Sequence, residues 1–135
     1  MKNTPRDFAV INSNWERDLR RGLLQLMILL LIRLRTEDAH GYGLIKLLRT
    51  TNIQLKAGTV YPLLKRMETD GLIESVIAED QQSPGMPRRI YTITIIGEKM
   101  IDSMIETYSF YHESIQKWYE EILEFKYNHK KFEEK

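Results

Sequence analysis

The chain has 135 residues, 42% of them apolar, with 20 basic and 19 acidic side chains for a formal net charge of +1. That is one domain's worth of sequence, or one domain with an appendage, and enough apolar content to build a core. It contains no cysteine, which excludes disulfides, thiolate metal sites and a cysteine nucleophile and fits a reducing compartment.

Residues 1–12 carry no firm period and read as an arm or a short helix. Ser13-Asn14-Trp15-Glu16 has the form of a capping box, with the hydroxyl and the carboxylate three apart. It predicts a helix from about Asn14 to Arg35, apolar on most sides in its second half and therefore central to the core. Its apolar run, Leu23 to Ile32, is interrupted by Gln25 and flanked by Arg20, Arg21, Arg33 and Arg35. It falls well short of the roughly 20 residues a membrane span needs. The N-terminus also lacks the basic start, apolar stretch and small-residue cleavage site of a signal peptide. A cytoplasmic protein with no membrane partner is expected.

Thr36 to Ala39 reads as a polar turn. A second helix is predicted from His40 or Gly41 to about Arg49, burying Leu44, Ile45, Leu47 and Leu48 and ending at Thr50-Thr51-Asn52. Ile53 to Leu55 is a short extended link. The third helix is predicted over Ala57 to Asp70, with Val60, Leu63, Leu64 and Met67 at three- and four-residue spacing as its inward stripe. Pro62 lies early in it, so either the helix starts nearer Thr59 or the proline bends it. Gly71 is a left-handed C-terminal stop. Leu72 to Ala78 and Arg88 to Ile93 read as two strands, joined by the turn-rich stretch Glu79 to Pro87. Two strands alone are marginal and need helices behind them. The order helix, helix, helix, hairpin, helix makes the fold α+β, mostly α: a winged helix-turn-helix.

Thr94 is a good N-cap for the last helix. From there Ile101, Met104, Tyr108, Tyr111, Ile115, Trp118, Ile122 and Phe125 alternate in threes and fours, a heptad seam held for more than three heptads. Such a helix is about 45 Å long, too long for a winged helix of this size to cover, so the seam calls for a partner chain. The expected organisation is an arm (1–13), a winged helix-turn-helix domain (14–94), a dimerisation helix (95–127) and a polar tail (128–135).

The low net charge conceals its distribution. From Gly97 to Lys135 nine acids face six lysines, whereas Lys56 to Arg66 carries three bases and no acid. A local basic patch binds phosphate while an acidic remainder cancels the total.

Four blocks are similar to the PadR family of bacterial and archaeal transcription regulators: His40-Gly41-Tyr42-Gly43-Leu44-Ile45, Gly58-Thr59-Val60-Tyr61-Pro62-Leu63-Leu64-Lys65-Arg66-Met67-Glu68, Asp70-Gly71-Leu72-Ile73-Glu74-Ser75, and Pro87-Arg88-Arg89-Ile90-Tyr91-Thr92-Ile93-Thr94 with Gly97. The resemblance covers roughly Gly22 to Gly97. It implies a homodimeric winged-helix regulator, usually a repressor, dimerised by its C-terminal helix and in many members released from double-stranded DNA by a small ligand or stress signal. Where members often have Ser-Pro before the Gly-Thr pair, this chain has Lys56-Ala57, losing a small polar N-cap and gaining a cation.

Taken with that resemblance, Lys65 and Thr59 are expected to face the major groove, where bases are distinguished. Lys56, Tyr61 and Arg66 would touch phosphate or sugar, with Pro62 beside them, although Tyr61 reads equally as packing against the first helix. Arg88 and Arg89 are wing candidates. Adjacent strand residues point to opposite faces, so one of the two is expected to reach DNA. Trp15, Tyr108 and Trp118 are candidates for an aromatic effector pocket, against the plainer reading that they pack a dimer core. His40 is expected to be structural. No histidine pair has metal-ligand spacing, Gly41-Tyr42-Gly43 lacks the third glycine of a dinucleotide fingerprint, and no catalytic constellation is present; neither cofactor nor enzymatic activity is expected. The alternative function is a winged-helix protein–protein adaptor that does not bind DNA.

Overall fold

The computed structural model describes residues 6–35, 39–51, 55–79 and 87–133. Among the described residues six elements follow one another: α1 (Phe8–Leu34), α2 (Gly41–Arg49), α3 (Ala57–Thr69), β1 (Ile73–Glu79), β2 (Pro87–Ile93) and α4 (Ile95–Glu133). Mostly helical and carrying one two-stranded antiparallel sheet, this is the winged helix-turn-helix anticipated from the pattern of elements. The expected turn at Thr36 to Ala39, the link at Ile53 to Leu55 and the hairpin loop fall largely on residues 36–38, 52–54 and 80–86, outside the described residues. By its contacts the chain divides between Ile101 and Asp102 into two compact units.

In the first unit, Ile28, Leu29 and Ile32 of α1 are buried with Leu44 and Leu48 of α2, Val60, Leu64 and Met67 of α3 and Ile73 of β1. Each such side chain removed from water contributes about 1.5–3 kcal/mol, which fixes the second half of α1 as the centre expected of it. The first half differs from expectation. α1 begins at Phe8, not near Asn14, so Ser13 lies inside the helix and caps nothing. Glu16 instead accepts a hydrogen bond from Asn12, one turn earlier, at 3.2 Å. Helix propensity carries the segment through a sequence that only resembles a start signal. It leaves Phe8, Ile11, Trp15 and Leu19, again at three- and four-residue spacing, exposed on one stripe.

α2 is capped by His40, whose Nδ1 accepts from the Gly43 N–H at 3.1 Å, the structural role expected for it. A single bridge pairs His40 with Ile90, and the Tyr91 N–H donates to the Ala39 carbonyl at 2.7 Å. These bonds tie the start of α2 to the wing. β1 and β2 pair from Ile73↔Ile93 to Glu79↔Pro87.

α3 ends as its sequence dictates. Gly71 takes φ +79°, the Leu72 N–H reaches back to the Met67 carbonyl at 3.0 Å, and the Gly71 N–H to that of Glu68 at 3.0 Å. This is the paired-bond stop that glycine permits. Thr94 then joins this turn to α4. Its hydroxyl donates to the Gly71 carbonyl at 2.6 Å and accepts from the Gly97 N–H at 3.0 Å, while its own N–H donates to the Leu72 carbonyl at 3.1 Å. Gly97 packs so closely on that Leu72 carbonyl that a Cβ there would overlap it.

The second unit is the remainder of α4. The helix is 39 residues long, about 58 Å, and it runs to Glu133, so most of the expected polar tail (128–135) is its last turns. Side-chain pairs one turn apart extend it. The rings of Phe125 and His129 stack at 5.8 Å, Lys131 lies over Tyr127 at 6.0 Å, and His129 sits 3.5 Å from Glu133. Pairs of this kind add about 0.2–0.5 kcal/mol each. The heptad seam divides: Ile101 is buried and Met104 half-buried, but Tyr108, Tyr111, Ile115, Trp118, Ile122 and Phe125 are exposed in the single chain. Ile105 and Tyr119, also exposed, widen the apolar face beyond the seam.

Candidate nucleic-acid interface

With Val60, Leu64 and Met67 of α3 turned inward, 3.6 residues per turn assign every other side chain a direction. Gly58, Pro62 and Lys65 form the ridge opposite the core, and all are exposed. The helix starts at Ala57 with Pro62 inside it, so the first of the two arrangements weighed for the proline does not hold. The missing proline N–H leaves the Gly58 carbonyl on that outer ridge.

Thr59, Leu63 and Arg66 follow one another along one flank of α3. They face α1 across a cleft of about 400 Å³ that is lined also by Arg17, Arg20, Arg21 and Lys56. The three arginines of α1 were not singled out as site residues from the sequence. The signal available was their spacing, which places them on one helical face. Lys56 is the N-cap of α3, extended at φ −90°, ψ 148°, and caps no backbone N–H with its side chain. That is the consequence foreseen for a lysine in place of a small polar residue.

Tyr61 and Glu68 lie along the other flank. The Tyr61 ring packs on the backbone of Gly41 at the start of α2, so closely that a Cβ on Gly41 would overlap it. The residue nevertheless remains 46% exposed. Glu68 accepts from the Ser75 hydroxyl of β1 at 2.6 Å, and Arg89 donates to that same hydroxyl at 2.8 Å. Below this chain Tyr91 is buried. Burial pushes its phenol above the ordinary value, Arg89 pulls it down, and Glu68 and Tyr61 add to the rise.

The two wing arginines point to opposite sheet faces, as strand geometry requires. Arg89 joins the Ser75–Glu68 chain on the α3 side, while Arg88 approaches the His40 Nε2 at 3.4 Å. Arg88 and His40 line a second cleft, of about 440 Å³, with Arg35, Tyr42, Lys46 and Thr50. Lys56, Thr59, Tyr61, Pro62, Lys65, Arg66, Arg88 and Arg89 are all exposed. Trp15 belongs to the first unit and Tyr108 and Trp118 to the second; none of them lines either cleft. Among the described residues no three His, Asp or Glu side chains gather to hold a metal, and no described helix is long and apolar enough to cross a membrane.

A family model described as the transcriptional regulator PadR-like family matches residues 28–103, more than half of the chain. Transcriptional regulator Rv3488 of Mycobacterium tuberculosis is 32% identical over 81 residues, covering 60% of this chain and 71% of its own length. A PadR family transcriptional regulator from Eggerthella lenta superposes with a TM-score of 0.71 at 30% identity, over 82% of this chain and 93% of that one. A PadR-like transcriptional regulator from Bacillus cereus superposes at 0.63 and 27% identity, over 73% and 93%. These relatives are named as regulators of transcription, not as enzymes.

Proposed function

This chain belongs to the PadR-like family of transcriptional regulators, and from that premise we propose that it is a homodimeric repressor gripping a pseudo-palindromic DNA operator with α3 and the wing. One observation carries the reading: the outer ridge and α1-side flank of α3 present Lys56, Thr59, Lys65 and Arg66 to solvent with no acid among them. A helix with its side chains is about 10–12 Å across and the major groove about 12 Å wide. Lys65, on the ridge, would then meet base edges, with Thr59 beside it at the groove wall. Lys56, Tyr61 and Arg66, on the flanks, would meet the backbone.

The exposed apolar faces support pairing with a second copy. Ile115 is 60%, Trp118 62% and Phe125 70% exposed on α4, and a long helix with such a face is marginal in water alone. The stripe Phe8, Ile11, Trp15 and Leu19 on α1 needs cover for the same reason. In a two-fold dimer each α3 would enter a major groove, the two grooves lying one or more DNA turns apart, hence the pseudo-palindrome. Tyr108 and Trp118 of α4 are the positions at which we place a flat hydrophobic effector. It would release DNA by favouring a different helix arrangement, which requires that it bind that arrangement more tightly. Quenching or shift of tryptophan fluorescence on adding such compounds, with a matching loss of DNA affinity, is the expected sign.

The test of DNA binding is a salt-titrated assay on duplex selected from a random pool. Lys65→Ala is expected to lower affinity for the selected sequence by about tenfold or more, within the roughly 1–3 kcal/mol that a good base contact supplies, while changing random-duplex affinity much less. A wing arginine on phosphate, removed as Arg88→Ala or Arg89→Ala, should lower the slope of log K against log salt by about one. Selection that returned no preferred sequence, with no salt-dependent affinity for random duplex, would leave the adaptor reading in its place.

A further inference from the structure

We propose that the cleft between α1 and α3 seats phosphates of the DNA backbone, so that Arg17, Arg20 and Arg21 of α1 belong to the DNA interface. This rests on the reading of α3 as the groove-entering helix and extends it onto an element outside the helix-turn-helix.

Three features of the cleft converge. Its position comes first. Lys56, Thr59 and Arg66 form its α3 wall, and that wall is one flank of the helix whose opposite-to-core ridge carries Lys65. A helix filling a groove about as wide as itself puts the bordering backbone against its flanks. A backbone on this flank lies at the mouth of the cleft.

Charge is the second feature. The described residues that line it include Arg17, Arg20, Arg21, Lys56 and Arg66 and no carboxylate. Among the described residues only Arg17 of these pairs with an acid, Asp18, at 3.8 Å between two exposed side chains, a contact too weak to neutralise it. Five cations around one concavity repel one another, and the concavity concentrates their potential. An anion relieves the repulsion. Guanidinium groups supply planar paired donors suited to phosphate oxygens, and they keep their charge at any physiological pH.

The third feature is independent of the side-chain charges. The first turn of α3 opens at Lys56 without a side-chain cap. Its leading backbone N–H groups and the positive end of the helix dipole therefore add to the attraction for an anion there. At about 400 Å³ the cleft has room for roughly a dozen waters of about 30 Å³ each, enough for a phosphodiester unit with some of its hydration.

The experiment compares the full-length protein with Arg20→Ala/Arg21→Ala, Arg20→Lys/Arg21→Lys and Lys65→Ala variants, titrated with salt on selected and random duplexes. The alanine pair is expected to lower the salt slope by one to two. It should weaken both duplexes by the same factor, so that sequence preference is kept, and the lysine pair should restore most of the slope. Thermal unfolding monitored by circular dichroism checks that α1 remains folded. If the alanine pair is folded and its slope is unchanged while Lys65→Ala still lowers affinity for the selected sequence, the cleft is outside the interface and the proposal falls alone. If neither set changes DNA binding, the α3 reading falls with it. A second arm adds pyrophosphate at constant ionic strength. Binding of pyrophosphate that depends on Arg20 and Arg21, with a DNA salt slope that does not, would make the cleft a small-anion site and overturn the assignment to DNA.

Discussion

Alanine at Gly97 is expected to destabilise the first unit by about 3 kcal/mol or more, the upper part of the range for overpacking. For a unit of this size that lowers the melting temperature by roughly 10–20 °C. Two effects compete. Gly97 lies in the first turn of α4, where exchanging glycine for alanine would by propensity alone gain about 1 kcal/mol. Against that, the new Cβ would overlap the Leu72 carbonyl and come within 2.9 Å of Ile93 Cγ2. The carbonyl cannot swing aside as a side chain end can. It accepts the Thr94 N–H at 3.1 Å and belongs to the turn closed by the Leu72 N–H on Met67 at 3.0 Å. Relieving the overlap means moving α4 off the stop of α3 and loosening both bonds. Calorimetry on the variant decides the matter, and a melting temperature equal to or above that of the parent would show that propensity wins.

A charge placed in the middle of the α4 seam should have the largest effect on function. Trp118→Glu, or Ile115→Glu, is expected to give a monomer by sedimentation or multi-angle light scattering and to weaken operator binding by about 10²–10⁴-fold. That is the factor lost when two linked half-site contacts become separate events. The physical reason is burial. Both side chains are exposed in the single chain, so a glutamate costs little there, whereas in a paired seam it would be an uncompensated charge in an apolar contact. The same asymmetry predicts that the melting of the first unit, whose core contains neither residue, changes little at low protein concentration. A variant that stayed dimeric with full operator affinity would remove the α4 seam from the proposed assembly.

Much of this could be read from residue order. The inward stripe of α3, its stop at Gly71 and the cap at Thr94 are local. Each depends on residues within a turn or two of one another, and each lies within two residues of where its pattern puts it, except that Leu63, expected in the inward stripe, is half-buried on the flank that lines the cleft with α1. The two boundary errors share a cause. Ser13 and Glu16 match a capping box, and the polar residues after Tyr127 match a tail, but helix formation is cooperative. A run that has begun continues through such sequence where one-turn pairs such as Asn12 with Glu16, or His129 with Glu133, keep satisfying it. The arginines of α1 stayed hidden for another reason. As flanks of an apolar run they read as ordinary solvated charge, and their meaning arises only once the fold brings them and the start of α3 around one cleft.

Taken alone, then, the order of residues determined the elements, the family and the cationic character of α3, because periodicity, capping and motif spacing are properties of neighbours along the chain. Only the tertiary structure decided which flank of α3 faces Arg17, Arg20 and Arg21, that Tyr61 rests on Gly41, and that Arg89 is held through Ser75 to Glu68 while Arg88 turns to His40. Those contacts join residues far apart in sequence. Burial of the shared core sets them, and it constrains direction and distance in a way that no local pattern encodes.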